Sequence, residues 1–163
     1  TPTEINETMS PVLVKKWALV PDSGGPGKFR GGLGMVEEVV SMSKSRALTI
    51  LFRTKSPPWG FNGGKNAPPG SNVFFPETNK SKLVSTGAVD MENGDVVRVT
   101  SAGGGGWGDP LERNPEHVRH DVEYGYITHK AARKDYGVII NDDFTLNNRD
   151  TESLRKDMRK KKE

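Results

Sequence analysis

Apolar residues along this chain form short runs separated by clusters of glycine, proline and asparagine, and this pattern predicts strands rather than long helices. The run RALTILFR, at 46–53, is β-branched and apolar, which predicts a mostly buried strand. The Asn93-Gly94 pair predicts a tight turn that leads into the next strand. An extended lead-in is predicted over the first twenty residues, before Pro21. The predicted strands are 17–20, 33–40, 46–53, 73–75 and 95–99.

The last third of the chain carries helix signals instead. Asn114 is a preferred N-cap residue and is followed by Pro115, while Gly125 provides a stop. Thr128 begins a second short helix, which Gly137 ends. The other elements predicted there are strands at 138–140 and 144–146 and a charged, solvated helix from Asp150.

Composition agrees with a mainly β fold of the α+β class. The 163 residues include 19 glycines and 11 prolines, and only 33% are hydrophobic, so the chain is expected to turn often. We predict a single glycine-rich β domain over 1–141, with two short helices near its C-terminal end. An extension over 142–163 is predicted to carry the charged helix.

Cysteine content and charge exclude several classes of function. The chain has no cysteine, which excludes a disulfide scaffold, a thiolate metal site and a cysteine nucleophile. Its net charge of +3 arises within 149–163, so the rest of the chain is neutral and no nucleic-acid partner is expected. No apolar run approaches the roughly 18 residues of a membrane span, so no membrane partner and a cytoplasmic location are expected.

Two glycine-rich stretches could bind a ligand. Gly27-Lys28 fails as a phosphate-binding P-loop, because Asp22 stands where the motif needs its first glycine and Phe29 where it needs Ser or Thr. The second stretch has four consecutive glycines, each costing roughly 1 kcal/mol relative to alanine in a regular element. Since the run contains no basic residue, close backbone packing is favoured over anion binding, and Trp107 is interpreted as a packing anchor. These glycines are Gly103, Gly104, Gly105 and Gly106.

No catalytic centre is recognisable. His117 and His120 would share a helical face, but too few further ligands converge for a metal, and a solvated amphipathic helix is predicted. There is no Ser/His/Asp order and no G-x-S-x-G motif. We expect no catalytic, cofactor-binding or metal-binding residue on this chain. The aromatic loop at 57–64 is either an interface or a cover for the domain's own core.

Several segments, in order along roughly 2–141, resemble signatures of the hydantoinase B family. The matching segments are DSGGPGKFRGGLG (22–34), PPWG followed by GG (57–64), GD (94–95), GGGGWGDP (103–110) and AARKDYGV (131–138). The motif residues expected to shape the fold or an interface are Asp22, Arg30, Trp59, Gly103, Gly104, Gly105, Gly106, Trp107 and Asp109.

The resemblance implies a small, structural part of a multi-subunit, ATP-dependent enzyme. The family includes hydantoinases, 5-oxoprolinases and the acetone and acetophenone carboxylases, in which ATP phosphorylates a ketone enolate and bicarbonate, or the oxygen of a cyclic amide. It implies two kinds of partner, a larger B-type chain and actin-like A-type chains that would hold ATP and Mg²⁺, with Mn²⁺ or Zn²⁺ as alternatives. Ketone carboxylation to a 3-oxoacid is the favoured expectation. The alternatives are cyclic-amide hydrolysis and a stand-alone anion-binding module.

The chain departs from the family in its length. B-type chains are several times longer, and this sequence corresponds only to their C-terminal portion. It is therefore either a fragment or a small subunit encoded by a split gene. Because it opens on Thr1-Pro2 without a tag residue, a natural small subunit is expected.

Overall fold

The computed structural model describes residues 2–161 and confirms the α+β class, with helix and strand each forming about a quarter of the chain. The strands are β1 (Val12–Leu19), β2 (Met35–Ser41), β3 (Ser45–Ile50), β4 (Ser71–Phe74), β5 (Lys82–Leu83), β6 (Thr86–Met91) and β7 (Val96–Thr100). The helices are α1 (Thr3–Met9), α2 (Pro115–Glu123), α3 (His129–Tyr136) and α4 (Asn148–Lys160), with a 3₁₀ turn at Pro110–Glu112.

The chain divides into two compact units. The sheet unit contains the chain up to Leu19, Gly34–Pro57 and Pro69–Ala102. The loop-helix unit contains Val20–Leu33, Pro58–Pro68 and the chain from Gly103 onward. The division into 1–141 and 142–163 stays a prediction from the sequence.

The sheet unit packs a five-stranded antiparallel sheet against a two-stranded one. The larger sheet has the order β1-β2-β7-β4-β5, and the smaller sheet pairs β3 with β6. Phe74 of β4 packs against Val89 and Met91 of β6, and all three side chains are buried. The turn predicted at Asn93-Gly94 is confirmed, with Gly94 at φ +89°, and the strands on either side of it join different sheets.

The prediction that 46–53 is mostly buried is wrong. β3 alternates, so that Ala47 and Thr49 face the core while Leu48 and Ile50 are 73% and 62% exposed. A strand turns successive side chains to opposite faces of its sheet. Since only one face of this sheet is covered, every second residue lies outside, whatever its hydrophobicity.

The prediction of a fully extended lead-in is also wrong. The first residues form α1, because the carbonyl of Pro2 accepts the N–H groups of Ile5 and Asn6 at 3.1 and 3.2 Å. Strand β1 begins at Val12, and it is therefore longer than the segment predicted at 17–20.

The two short helices form as predicted, because their caps are local. The side chain of Asn114 accepts the N–H of Glu116 at 2.9 Å and begins α2. Thr128 caps α3, and Gly137 ends it in the left-handed region at φ +62°. The strands predicted at 138–140 and 144–146 reduce to one bridge, between Ile140 and Leu146.

The C-terminal helix is docked along one face, which corrects the expectation of a wholly solvated helix. It begins after Asn147, whose side chain accepts the N–H of Asp150 at 3.1 Å. Arg155 donates to the carbonyls of Tyr136 and Arg113 at 3.0 and 2.8 Å. A charged side chain can thus anchor a helix through backbone acceptors.

We expect Phe74→Ala to lower the free energy of unfolding by about 3–5 kcal/mol, because the ring is 1% exposed and its loss leaves a cavity between the sheets. Urea unfolding measures this change. Leu83→Ala is the control, since Leu83 is 74% exposed and its truncation should change stability by less than about 0.5 kcal/mol. Equal effects of the two substitutions would contradict the assigned core.

Candidate functional site

Three loops of the loop-helix unit lie side by side and carry the residues that the sequence singles out. We name them L1 (22–33), L2 (58–68) and L3 (103–109), and together they form the three-loop cluster. Each loop is hydrogen-bonded to both of the others through its backbone. The bonds include Gly25 N to Gly104 O (2.8 Å), Gly104 N to Gly32 O (2.8 Å), Phe29 N to Trp107 O (3.0 Å), Trp107 N to Phe29 O (2.9 Å), Phe61 N to Gly106 O (2.9 Å), Lys65 N to Pro26 O (2.7 Å) and Gly106 N to Lys65 O (3.0 Å).

Glycine is required where these backbones meet. The positions at which an added Cβ would overlap a carbonyl oxygen of another loop are Gly25, Gly27, Gly31, Gly64, Gly103, Gly105 and Gly106. The collagen triple helix needs glycine for the same reason, because only glycine fits where three chains approach closely. The close backbone packing predicted for the four-glycine run is therefore confirmed at Gly103, Gly105 and Gly106, while an added Cβ at Gly104 would lie 3.2 Å from the nitrogen of Gly32.

The same contacts bear on anion binding. The N–H groups of Gly104 and Gly106 donate to carbonyls of L1 and L2, so they are not free for a phosphate. The two lysines of the cluster are also paired, Lys28 with Glu112 at 3.2 Å and Lys65 with Asp135 at 2.7 Å. These pairings engage the Gly104 and Gly106 N–H groups and both lysines within the fold.

An aromatic edge runs across the cluster. Phe29, Phe61 and Trp107 come from different loops, and single backbone bridges join Trp107 to both phenylalanines. The rings of Phe29 and Trp107 lie 5.6 Å apart, yet the three side chains are 61%, 68% and 45% exposed in that order. Trp59 is also exposed, so the aromatic residues of the loop at 57–64 do not cover the core.

Two predicted motif aspartates hold local structure. Asp22 has φ +60°, a left-handed conformation that aspartate tolerates better than most residues. Its carboxylate accepts the N–H and the hydroxyl of Thr128 at 2.8 and 2.9 Å, which ties L1 to the start of α3. Asp109 accepts the N–H of Leu111 at 2.9 Å and caps the 3₁₀ turn.

Arg30 belongs to a largely buried ion-pair network centred on Asp121. Its guanidinium makes two bonds to Asp121, at 3.0 and 3.2 Å, and lies over the ring of Tyr126. Arg113 bonds the same carboxylate at 2.8 Å. The side chains of Arg30, Arg113 and Asp121 are 15%, 13% and 9% exposed, respectively. Sequence reasoning missed Asp121, which it assigned to a solvated helix face.

No metal or membrane feature accompanies the cluster in residues 2–161. No group of three or more histidine, aspartate or glutamate side chains there is arranged to hold a metal ion. Over the same residues, no helix combines the length and apolar character that a membrane span requires.

Comparison with known proteins shows which family the chain resembles. The family model described as Hydantoinase B/oxoprolinase matches residues 1–110. A putative D-/L-hydantoinase B-type polypeptide of Pseudomonas sp. strain NS671 is 35% identical over 161 residues, which is 95% of this chain and 27% of that protein. The acetone carboxylase alpha subunit of Xanthobacter autotrophicus is 29% identical over 174 residues, covering 84% of this chain and 22% of that one.

A solved structure has the same fold. The ATP-dependent caprolactamase of Pseudomonas jessenii superposes with a TM-score of 0.83 at 27% identity. The match covers 95% of this chain and 28% of that chain. This chain therefore spans about a quarter of the length of these three relatives.

Neighbouring glycines provide a matched test of the cluster. Gly31→Ala places a methyl group against the carbonyl of Gly104, and we expect a loss of about 2–4 kcal/mol in the free energy of unfolding. Gly32→Ala meets nothing within 4 Å and should leave the protein equally stable or up to about 1 kcal/mol more stable. Denaturant unfolding separates the two, and similar stabilities would contradict backbone packing.

Tyr136 supplies a pH-dependent test. Burial raises the pKa of its phenol from 10.0 to about 12. Between these values the unfolded chain ionises while the folded chain stays protonated, so wild type should lose about 1.4 kcal/mol of stability from pH 9 to pH 11. Tyr136→Phe removes this loss. At pH 7 it should be at least as stable as wild type, since the hydroxyl has no hydrogen-bond partner within residues 2–161. If the stability–pH curves of wild type and Tyr136→Phe are parallel, burial does not raise the pKa of Tyr136.

Proposed function

The chain belongs to the hydantoinase B/oxoprolinase family, and from this premise we propose that it is a structural part of the B-type component of an ATP-dependent, multi-subunit enzyme. The observation that carries the proposal is the superposition on the caprolactamase over 95% of this chain. An ATP-dependent relative thus contains the whole of this fold as about a quarter of its length.

A structural role is supported by what the motif residues do. The glycines of L3 pack against other backbones, and Arg30 is paired with Asp121. Asp22 accepts the N–H of Thr128, and Asp109 accepts the N–H of Leu111. Because these groups are engaged within the fold, we assign catalysis to the larger B-type chain. We assign ATP and Mg²⁺, with Mn²⁺ or Zn²⁺ as alternatives, to A-type chains, where the nucleotide supplies the activating phosphoryl group.

Two substrate classes are open to the assembly, and we place cyclic amides first. The hydantoinase relative is 35% identical over 95% of this chain, against 29% over 84% for the acetone carboxylase subunit. The fold does not separate the two classes, because an acetone carboxylase structure superposes with a TM-score of 0.81 and the caprolactamase with 0.83. The ketone carboxylase favoured in the sequence analysis is the second candidate, with the small subunit of acetophenone carboxylase as its specific form.

Native mass spectrometry of the protein purified from its own source tests the proposal. We expect the 17.9 kDa sequence to occur with B-type and A-type polypeptides rather than alone. The purified assembly should hydrolyse ATP when a cyclic amide is added. ATP hydrolysis with ketone and bicarbonate instead would identify the carboxylase.

A free, folded monomer would contradict the proposal. The stand-alone anion-binding module would then come first, and salt-sensitive binding of inorganic phosphate would be its signature. Binding that persists unchanged in high salt would count against that module as well.

A further inference from the structure

The outer face of the two-stranded sheet is apolar and uncovered in this chain. Leu48 and Ile50 of β3 are 73% and 62% exposed, and they pair with Ala88 and Thr86 of β6. Phe52, just beyond β3, is 79% exposed. We name the surface formed by Leu48, Ile50, Phe52, Thr86 and Ala88 the outer apolar face.

The distribution of side chains across β3 is the reverse of that in a sheet with one solvated face. Such a sheet places its larger apolar residues inside and its polar residues outside. Here the core-facing residues are Ala47 and Thr49, and the larger Leu48 and Ile50 lie outside. Contiguous apolar surface of this kind marks a contact with another protein surface.

A charged pair lies at one end of this side of the sheet. Arg46 of β3 lies opposite Asp90 of β6, and two hydrogen bonds of 2.6 and 3.2 Å join their side chains. The outer apolar face beyond this pair carries no charged residue. A surface that complements it must therefore be apolar and neutral at its centre.

We propose that the outer apolar face is the contact surface for the rest of the hydantoinase B-type fold. This inference rests on the proposed function. The chain matches only 27% and 28% of the hydantoinase and caprolactamase relatives, so their folds contain about three times as much further chain that must pack somewhere. Obligate contacts within such proteins are more hydrophobic than transient ones, which agrees with this face.

Cysteine labelling tests the surface directly, because the chain has no cysteine of its own. Leu48→Cys is introduced into the full assembly, and its reaction with a maleimide is followed by peptide mass spectrometry. We expect labelling at least about tenfold slower in the assembly than in the isolated chain. Lys44→Cys is the matched control, since the Lys44 side chain is 81% exposed and precedes β3, and its labelling should not slow.

The outcomes separate this inference from the proposed function. If wild type does not assemble with a B-type chain, both fail. If the assembly forms and Leu48→Cys still reacts at the rate of the isolated chain, the outer apolar face is not a contact surface, while the proposed function stands. The inference is also overturned if positions 48 and 44 are equally protected from maleimide labelling. Protection that occurs only in a complex of identical 17.9 kDa chains overturns it as well. Loss of assembly with Leu48→Cys but not with Lys44→Cys supports it.

Discussion

Direct contact between backbones is the constraint on which the loop-helix unit depends. L1, L2 and L3 approach so closely that a single methyl group at Gly31 or Gly105 would occupy the position of a neighbouring carbonyl oxygen. Inter-loop hydrogen bonds satisfy the backbone groups that this approach removes from water. The high glycine content of the chain follows from this geometry, because the backbone of another loop lies where a side chain would otherwise be.

Elements whose signals are local could be predicted from the sequence. Asn114 and Thr128 cap their helices through bonds to residues two and three positions away, and Gly137 ends its helix through its own φ. Elements that depend on residues distant in the chain could not be predicted from the sequence. The exposure of Leu48 depends on which face of β3 is covered, and the docking of Arg155 depends on carbonyls 19 and 42 residues away.

The same distinction applies to the candidate site. The four glycines from Gly103 predicted close packing, because such a run is costly in a regular element and contains no basic residue that would favour an anion. They did not indicate which loops they meet, because L1, L2 and L3 are far apart in sequence. Asp121 was missed because a charged residue on a short helix ordinarily faces water, and only Arg30, 91 residues away, and Arg113 hold it inside.

The aromatic edge has a consequence for the order of folding. Phe29, Phe61 and Trp107 are brought together only when two long stretches of chain have closed, and closing long loops has an entropic cost that is recovered late. Glycine-rich segments contribute little to early hydrophobic collapse. The aromatic edge therefore requires L1, L2 and L3 all to be in place. A partner that recognised it would select for completed folding, without any separate quality-control step.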